Sequence, residues 1–198
     1  MEHNNKSFIS LRYTKDDFLD LGIKLNSNDN WDDAIKIFDD RIKGRYLNII
    51  DNLIQEDELI IDGFAIMALN CLLIETLLQF RYGWDETKGG NKKSYSEFLS
   101  NVFPDIFNKK IANIFYSDIR CGILHSAQTK GKSKLTFNQD YAVKLMKTED
   151  KDYIKVDVGN ITSEIIRYYN SYKEMLRDPN SNNIRENFRK KMIYICLK

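Results

Sequence analysis

The chain has little of the residues that staple a fold, break a helix or hold a metal. Its 198 residues include three cysteines, two prolines and two histidines. Cys71, Cys121 and Cys196 are odd in number and far apart, with no C-x-x-C pair, so neither a disulfide framework nor a zinc site of the usual spacing is expected. No cofactor is expected either, and a reducing compartment suits such thiols. With only Pro104 and Pro179, long helices can form almost anywhere. A dominant charge sign is also missing. Thirty Lys and Arg against twenty-nine Asp and Glu leave a net +1, which excludes coating of nucleic acid by bulk electrostatics but leaves room for a local patch. No apolar run approaches the roughly 18 residues of a spanning helix, and the opening MEHNNKSF lacks the basic and apolar stretches of a signal peptide. The expectation is a cytoplasmic protein with no membrane partner.

What the sequence does have is helical periodicity. With 42% apolar residues, a chain of this length is expected to form one domain with a real core. Residues 1–30 are polar and close on Asn-Ser-Asn-Asp-Asn, a loop after a short leading element. Ile35, Phe38, Ile42, Tyr46, Ile49 and Leu53 keep three- and four-residue steps, predicting a helix over 31–55 with Asn30 or Asp29 as cap and Asp32 and Asp33 in its first turn. Residues 58–82 are apolar nearly all round, which places a helix at the centre of a bundle. Asn70 and Glu75 interrupt it, and a carboxylate in such a helix needs a partner or a wet cleft.

Gly83 to Lys93 reads as an exposed loop. A short helix is predicted over 94–101, with Ser94 and Glu97 as a capping box, and a longer one over 104–126 opening at Pro104. After the loop 128–134, alternating residues predict strands at 135–137, 141–146 and 153–158, and a closing helix runs over about 160–177. Its Tyr168, Tyr169 and Tyr172 read as packing residues or as platforms for stacking bases. The tail 178–198, with Arg185, Arg189, Lys190 and Lys191, is basic and of no assigned form. The fold class is therefore mainly α: a bundle of four to five core helices, a body at 31–127, and a small β-hairpin at 135–158 before the last long helix.

The near-zero sum hides a segregation of charge. From Lys15 to Asp40 there are eight Asp against three Lys, whereas from Asn108 to Lys134 six Lys and Arg face one Asp. The basic stretch contains Arg120-Cys-Gly-Ile-Leu-His125, at a helix end and before a lysine-bearing loop. An imidazole exchanges protons near neutrality, with an unperturbed pKa of about 6.5. A guanidinium offers a planar, permanently charged fork for phosphate oxygens. Together they suit RNA cleavage by transesterification, in which one group moves protons of the 2′-OH or the 5′-oxygen and the other stabilises the charge on the phosphorane-like transition state. Residues five apart stand about 140° around a helix, so Arg120 and His125 share no face unless the helix is distorted. Gly122 between them reads as a close approach or such a distortion.

Asp118 to His125, DIRCGILH, resembles the R-x4-6-H motif of the HEPN superfamily (higher eukaryotes and prokaryotes nucleotide-binding). That resemblance implies a compact helical bundle, commonly dimeric, and a metal-independent endoribonuclease of toxin–antitoxin, phage-defence or RNA-processing type. Arg120 matches the motif arginine and His125 the motif histidine; active members commonly place Asn, Asp or His after the arginine, where this chain has Cys121. The implied partners are an RNA substrate, a second copy sharing a composite site, and an antitoxin or other regulatory protein. The alternative is a non-catalytic module of the same fold that dimerises or binds a nucleotide or protein. Around the motif, Glu75 is expected to orient Arg120 from across the bundle, to form an ordinary buried ion pair, or to be an exposed glutamate. Asp118 reads as a solvated or lysine-paired surface residue or as help to the site, and Cys121 as a small packing residue. Lys130, Lys132 and Lys134 read as contacts for RNA phosphates or as a solvated loop.

Overall fold

Apolar steps of three and four residues with few breakers give a mainly helical protein carrying one small sheet. The computed structural model describes residues 7–55, 59–87 and 91–198. The helices are α1 (Lys15–Leu19), α2 (Trp31–Ile42), α3 (Asn48–Gln55), α4 (Leu59–Tyr82), α5 (Asn91–Val102), α6 (Lys109–Ile114), α7 (Cys121–Ser126), α8 (Val158–Arg177) and α9 (Asn182–Leu197). Two wide π turns, Lys43–Leu47 and Phe115–Arg120, join α2 to α3 and α6 to α7 without a break. The strands are β1 (Lys134–Thr136), β2 (Val143–Met146) and β3 (Tyr153–Asp157).

Several boundaries differ from the expectation for local reasons. Asn30 is the N-cap of α2, but its side chain donates to Leu21 O instead of capping. Glu58, the expected start of the next helix, lies outside the described residues, as do Lys88 to Gly90 of the expected loop. Helix α5 already runs at Asn91, so Ser94 sits within it and is not its cap. Pro104 does not open the long basic helix. Phe103 O receives the amides of Ile106 and Phe107 in a separate turn, and Asn108 Oδ1 then caps α6 through Ile111 N at 3.0 Å. The expected hairpin is present as β2 against β3, from Val143 opposite Val156 to Met146 opposite Tyr153, and β1 adds parallel to the other edge of β3, giving the order β1-β3-β2.

The chain divides into two compact units. One takes the described residues of Met1–Ile49, Gln79–Thr87 and Asn170–Lys198, and the other takes those of Ile50–Leu78 and Lys88–Tyr169. The first is built on rings: Phe38 meets Phe80 at 4.7 Å, Phe188 at 5.5 Å and Tyr172 at 5.9 Å, edge to face. The tail, left without an assigned form by the sequence, is therefore a helix and a core element of that unit. Arg185 of α9 is fully buried, lies 4.3 Å over the Trp31 ring, and donates to Leu25 O, Ser27 O, Asn28 Oδ1, Leu176 O and Arg177 O.

In the second unit Ile50, Ile66 and Val158 form a cluster against Leu53, Leu69, Leu135 and Phe137. Gly63 makes room here for the residue that follows β1, since a Cβ at that position would stand 2.6 Å from the Phe137 ring. Tyr168 of α8 packs edge to face on Phe98 and Phe103, so it is a core ring and not an exposed stacking platform. Among the described residues one helical stretch, Asp62–Tyr82 of α4, is long and apolar enough to cross a membrane. Two polar residues at its middle have protein partners, as in a core helix: Asn70 is buried and its Nδ2 donates to Thr162 Oγ1 at 2.7 Å, and Glu75 pairs with Arg120.

Removing the Arg185 fork strands several buried carbonyls at once, and each unsatisfied acceptor costs about 1–3 kcal/mol. Arg185→Met, which keeps the aliphatic volume, is expected to lower stability by about 3 kcal/mol in urea denaturation.

Candidate functional site

The second π turn decides where the motif points. Phe115, Ile119 and Ile123 are buried and step by four residues, a spacing that drifts about 40° per step around an α-helix. Widening one turn absorbs the drift, and the amide of Cys121 accordingly bonds to Tyr116 O, five residues back. All three apolar side chains stay inside, and Arg120 at the end of the wide turn is left beside α4.

Arg120 meets Glu75 there. Its Nη2 donates to Glu75 Oε2 at 2.7 Å, with both side chains mostly covered, 13% and 17% exposed. This is the partner that a carboxylate in an apolar helix requires. The other terminal nitrogen, Nη1, lies 3.4 Å from His125 Nε2 and 4.0 Å from Cys121 Sγ. A guanidinium can only donate, so the contact with His125 is a hydrogen bond when Nε2 carries the lone pair. The helical wheel separates these two residues, but the length of the arginine side chain bridges the gap. The Tyr116 ring lies 5.5 Å from the guanidinium carbon. Burial opposes the charge on Arg120, and Glu75 more than offsets this, holding the guanidinium above its ordinary value. Burial and the nearby Cys121 thiol hold the Tyr116 phenol above its own. Arg120 Nε is buried and has no acceptor among the described residues.

His125 itself is exposed, on the last turn of α7. The helix ends at Ala127, at φ 51°, and the chain folds back over it. Gly122 permits that return: a Cβ there would stand 2.5 Å from Gln128 O and 3.1 Å from Lys130 N. The close approach is thus made by the following loop and not by another helix. Asp118 holds the loop down. It is buried rather than solvated, its carbonyl accepts Lys130 N at 2.9 Å, and its Oδ2 accepts Ser133 Oγ at 2.8 Å. Ser133 Oγ in turn accepts Ile154 N of β3 at 3.2 Å.

Of the residues expected at the site, Arg120, His125, Glu75 and Cys121 converge. Asp118 belongs to the framework beneath. Lys130, Lys132 and Lys134 are exposed, and no contact of their ammonium groups with Arg120 or His125 occurs among the described residues. Lys132 instead pairs with Asp150 at 3.3 Å. Tyr116 was not foreseen, although its place four residues before Arg120 was a usable signal. Cys71 is fully buried and burial pushes its thiol up to about 12, so it is inert. Comparison with protein-family models, curated proteins and solved structures returns no match.

Gly122→Ala forces a methyl group against the backbone of Gln128. It is expected to cost about 1–3 kcal/mol and to expose the segment 127–133 to limited proteolysis, measured beside a thermal melt; an unchanged cleavage pattern would show that the loop does not lean on Gly122.

Proposed function

We propose that this chain is a metal-independent endoribonuclease of HEPN type, acting as a toxin or in phage defence through a homodimer. The observation that carries the reading is the convergence of Arg120 and an exposed His125 within 3.4 Å, with Arg120 oriented by Glu75. Proton transfer and phosphate stabilisation are then available at one point. In the proposed reaction the ribose 2′-oxygen attacks phosphorus and the bond to the 5′-oxygen breaks, leaving a 2′,3′-cyclic phosphate and a 5′-hydroxyl. His125 takes the 2′-OH proton or supplies one to the 5′-oxygen, and Arg120 bears the charge gathering on the nonbridging oxygens. In a symmetric dimer a second copy of His125 supplies the complementary proton step. The buried, unpartnered Arg120 Nε supports a site kept for chemistry, because the pose sacrifices a hydrogen bond worth about 1 kcal/mol. The dimer is supported by Phe64 and Leu72, which leave an apolar strip of α4 exposed at 42% each.

Labelled RNA incubated with the purified chain in EDTA is expected to be cut, with cyclic phosphate ends. Arg120→Ala and His125→Ala should each lower the rate by about 10²-fold or more. Equal traces from all three proteins would leave the non-catalytic binding module as the function. Glu75→Gln keeps an acceptor but removes the charge, so cleavage should fall less, by about tenfold. Mixing Arg120→Ala with His125→Ala chains should alter activity when subunits exchange and share a cleft.

A further inference from the structure

A second lysine-bearing feature of the second unit lies away from the motif. Helices α5 and α6 enclose a cavity of about 600 Å³ lined by Lys92, Lys93 and Lys109, with Ser96 and Asn113 at its wall. A second cavity of about 710 Å³ shares Lys109 and Asn113 and continues to Lys110 and Lys151 on the β2–β3 turn. The two adjoin at Lys109 and Asn113 and make a trough along α5, α6 and that turn, whose lining also carries Glu97, Asp150 and Asp152.

The charge is only partly answered. Lys93 reaches Glu97 at 4.0 Å, and Lys110 pairs with Asp152. Lys92, Lys109 and Lys151 have no carboxylate partner among the described residues, although all three are exposed and free to recruit one. Donors to neutral oxygens lie among them. Ser96, buried, donates its Oγ to Asn113 Oδ1 at 3.1 Å, which fixes the amide and leaves its NH2 to donate elsewhere. One end of the trough touches the loop that follows His125: Asp150, on its lining, pairs with Lys132 of that loop. Asn113 also precedes Arg120 by seven residues on one continuous helical run, about 10 Å along the axis.

We propose that this trough binds the sugar-phosphate backbone of a single-stranded RNA on its way to Arg120 and His125, with Lys92, Lys109 and Lys151 as phosphate contacts. The choice of RNA as ligand rests on the ribonuclease reading above. Exposed, flexible ammonium groups spread over two joined cavities suit successive phosphates of a strand better than one enclosed anion. The amide and hydroxyl beside them suit ribose and nonbridging oxygens.

Binding is read on the full chain carrying His125→Ala, by fluorescence anisotropy with a labelled single-stranded RNA, so the result does not depend on cleavage by the wild type. Adding Lys92→Gln and Lys109→Gln together is expected to weaken binding about tenfold at low salt. It should also reduce the slope of log K against log salt by about 1.4, the value for two single-strand phosphate contacts. Lys92→Arg with Lys109→Arg should restore both. Lys24→Gln with Lys36→Gln removes the same charge from the other unit and should leave the slope unchanged. An unaltered affinity and slope in the trough variant, with an unaltered melting temperature, would overturn the proposal. Complete displacement of the strand by millimolar 5′-AMP would also overturn it, by assigning the trough to a mononucleotide. RNA binding lost in the trough variant, beside a wild type that cleaves nothing, would retain the trough and remove the ribonuclease.

Discussion

A single carboxylate, set in the most apolar helix of the chain, organises the motif around it. Glu75 of α4 has buried apolar neighbours on its own helix at Cys71, Ile74, Leu77 and Leu78. Leaving it unanswered there would cost several kcal/mol. Arg120 answers it through a 2.7 Å charge-assisted bond, and in doing so turns its remaining terminal nitrogen toward His125. The geometry of the candidate site is therefore a consequence of neutralising α4. Only the histidine end of the arrangement is open to solvent.

The rest of the second unit fixes the residues that meet this pair. The wide turn keeps Phe115, Ile119 and Ile123 buried in spite of their four-residue steps and delivers Arg120 to α4. Past His125 the chain reverses over Gly122, and Asp118, Ser133 and the Ile154 amide tie the loop to β3. The basic loop is thus anchored at its base with its lysine side chains outside. This division leaves the helix end accessible, which any chemistry on a polymer requires.

Much of this was legible in particular residues. The isolation of Glu75 in an apolar run demanded a partner or a wet cleft, with Arg120 as one candidate among others. The periodicity of 31–55 and 58–82 placed the long helices, and the alternation after Lys134 placed the small sheet. Other features were hidden for physical reasons. Asp118 reads as a surface acid because sequence does not reveal that a serine fifteen residues later will fold back onto it. Arg185 and Lys191 read only as part of a basic tail of no assigned form, because most of their partners are backbone carbonyls, which carry no sequence signature. The lysines of the trough carry no such mark in the sequence, where Lys92 and Lys151 are far from the motif.

By itself the sequence determined the mainly helical class, the scarcity of helix breakers and the local pairing of an arginine and a histidine five residues apart. These depend on composition and on nearest neighbours along the chain. Tertiary structure decided whether that pair could act together. An ideal helix separates Arg120 and His125 by about 140°; the wide turn ending at Arg120, a carboxylate from another helix and the reach of the arginine accompany the approach of their nitrogens to 3.4 Å. A charge buried between helices is answered across space, and that answer is not local to the motif.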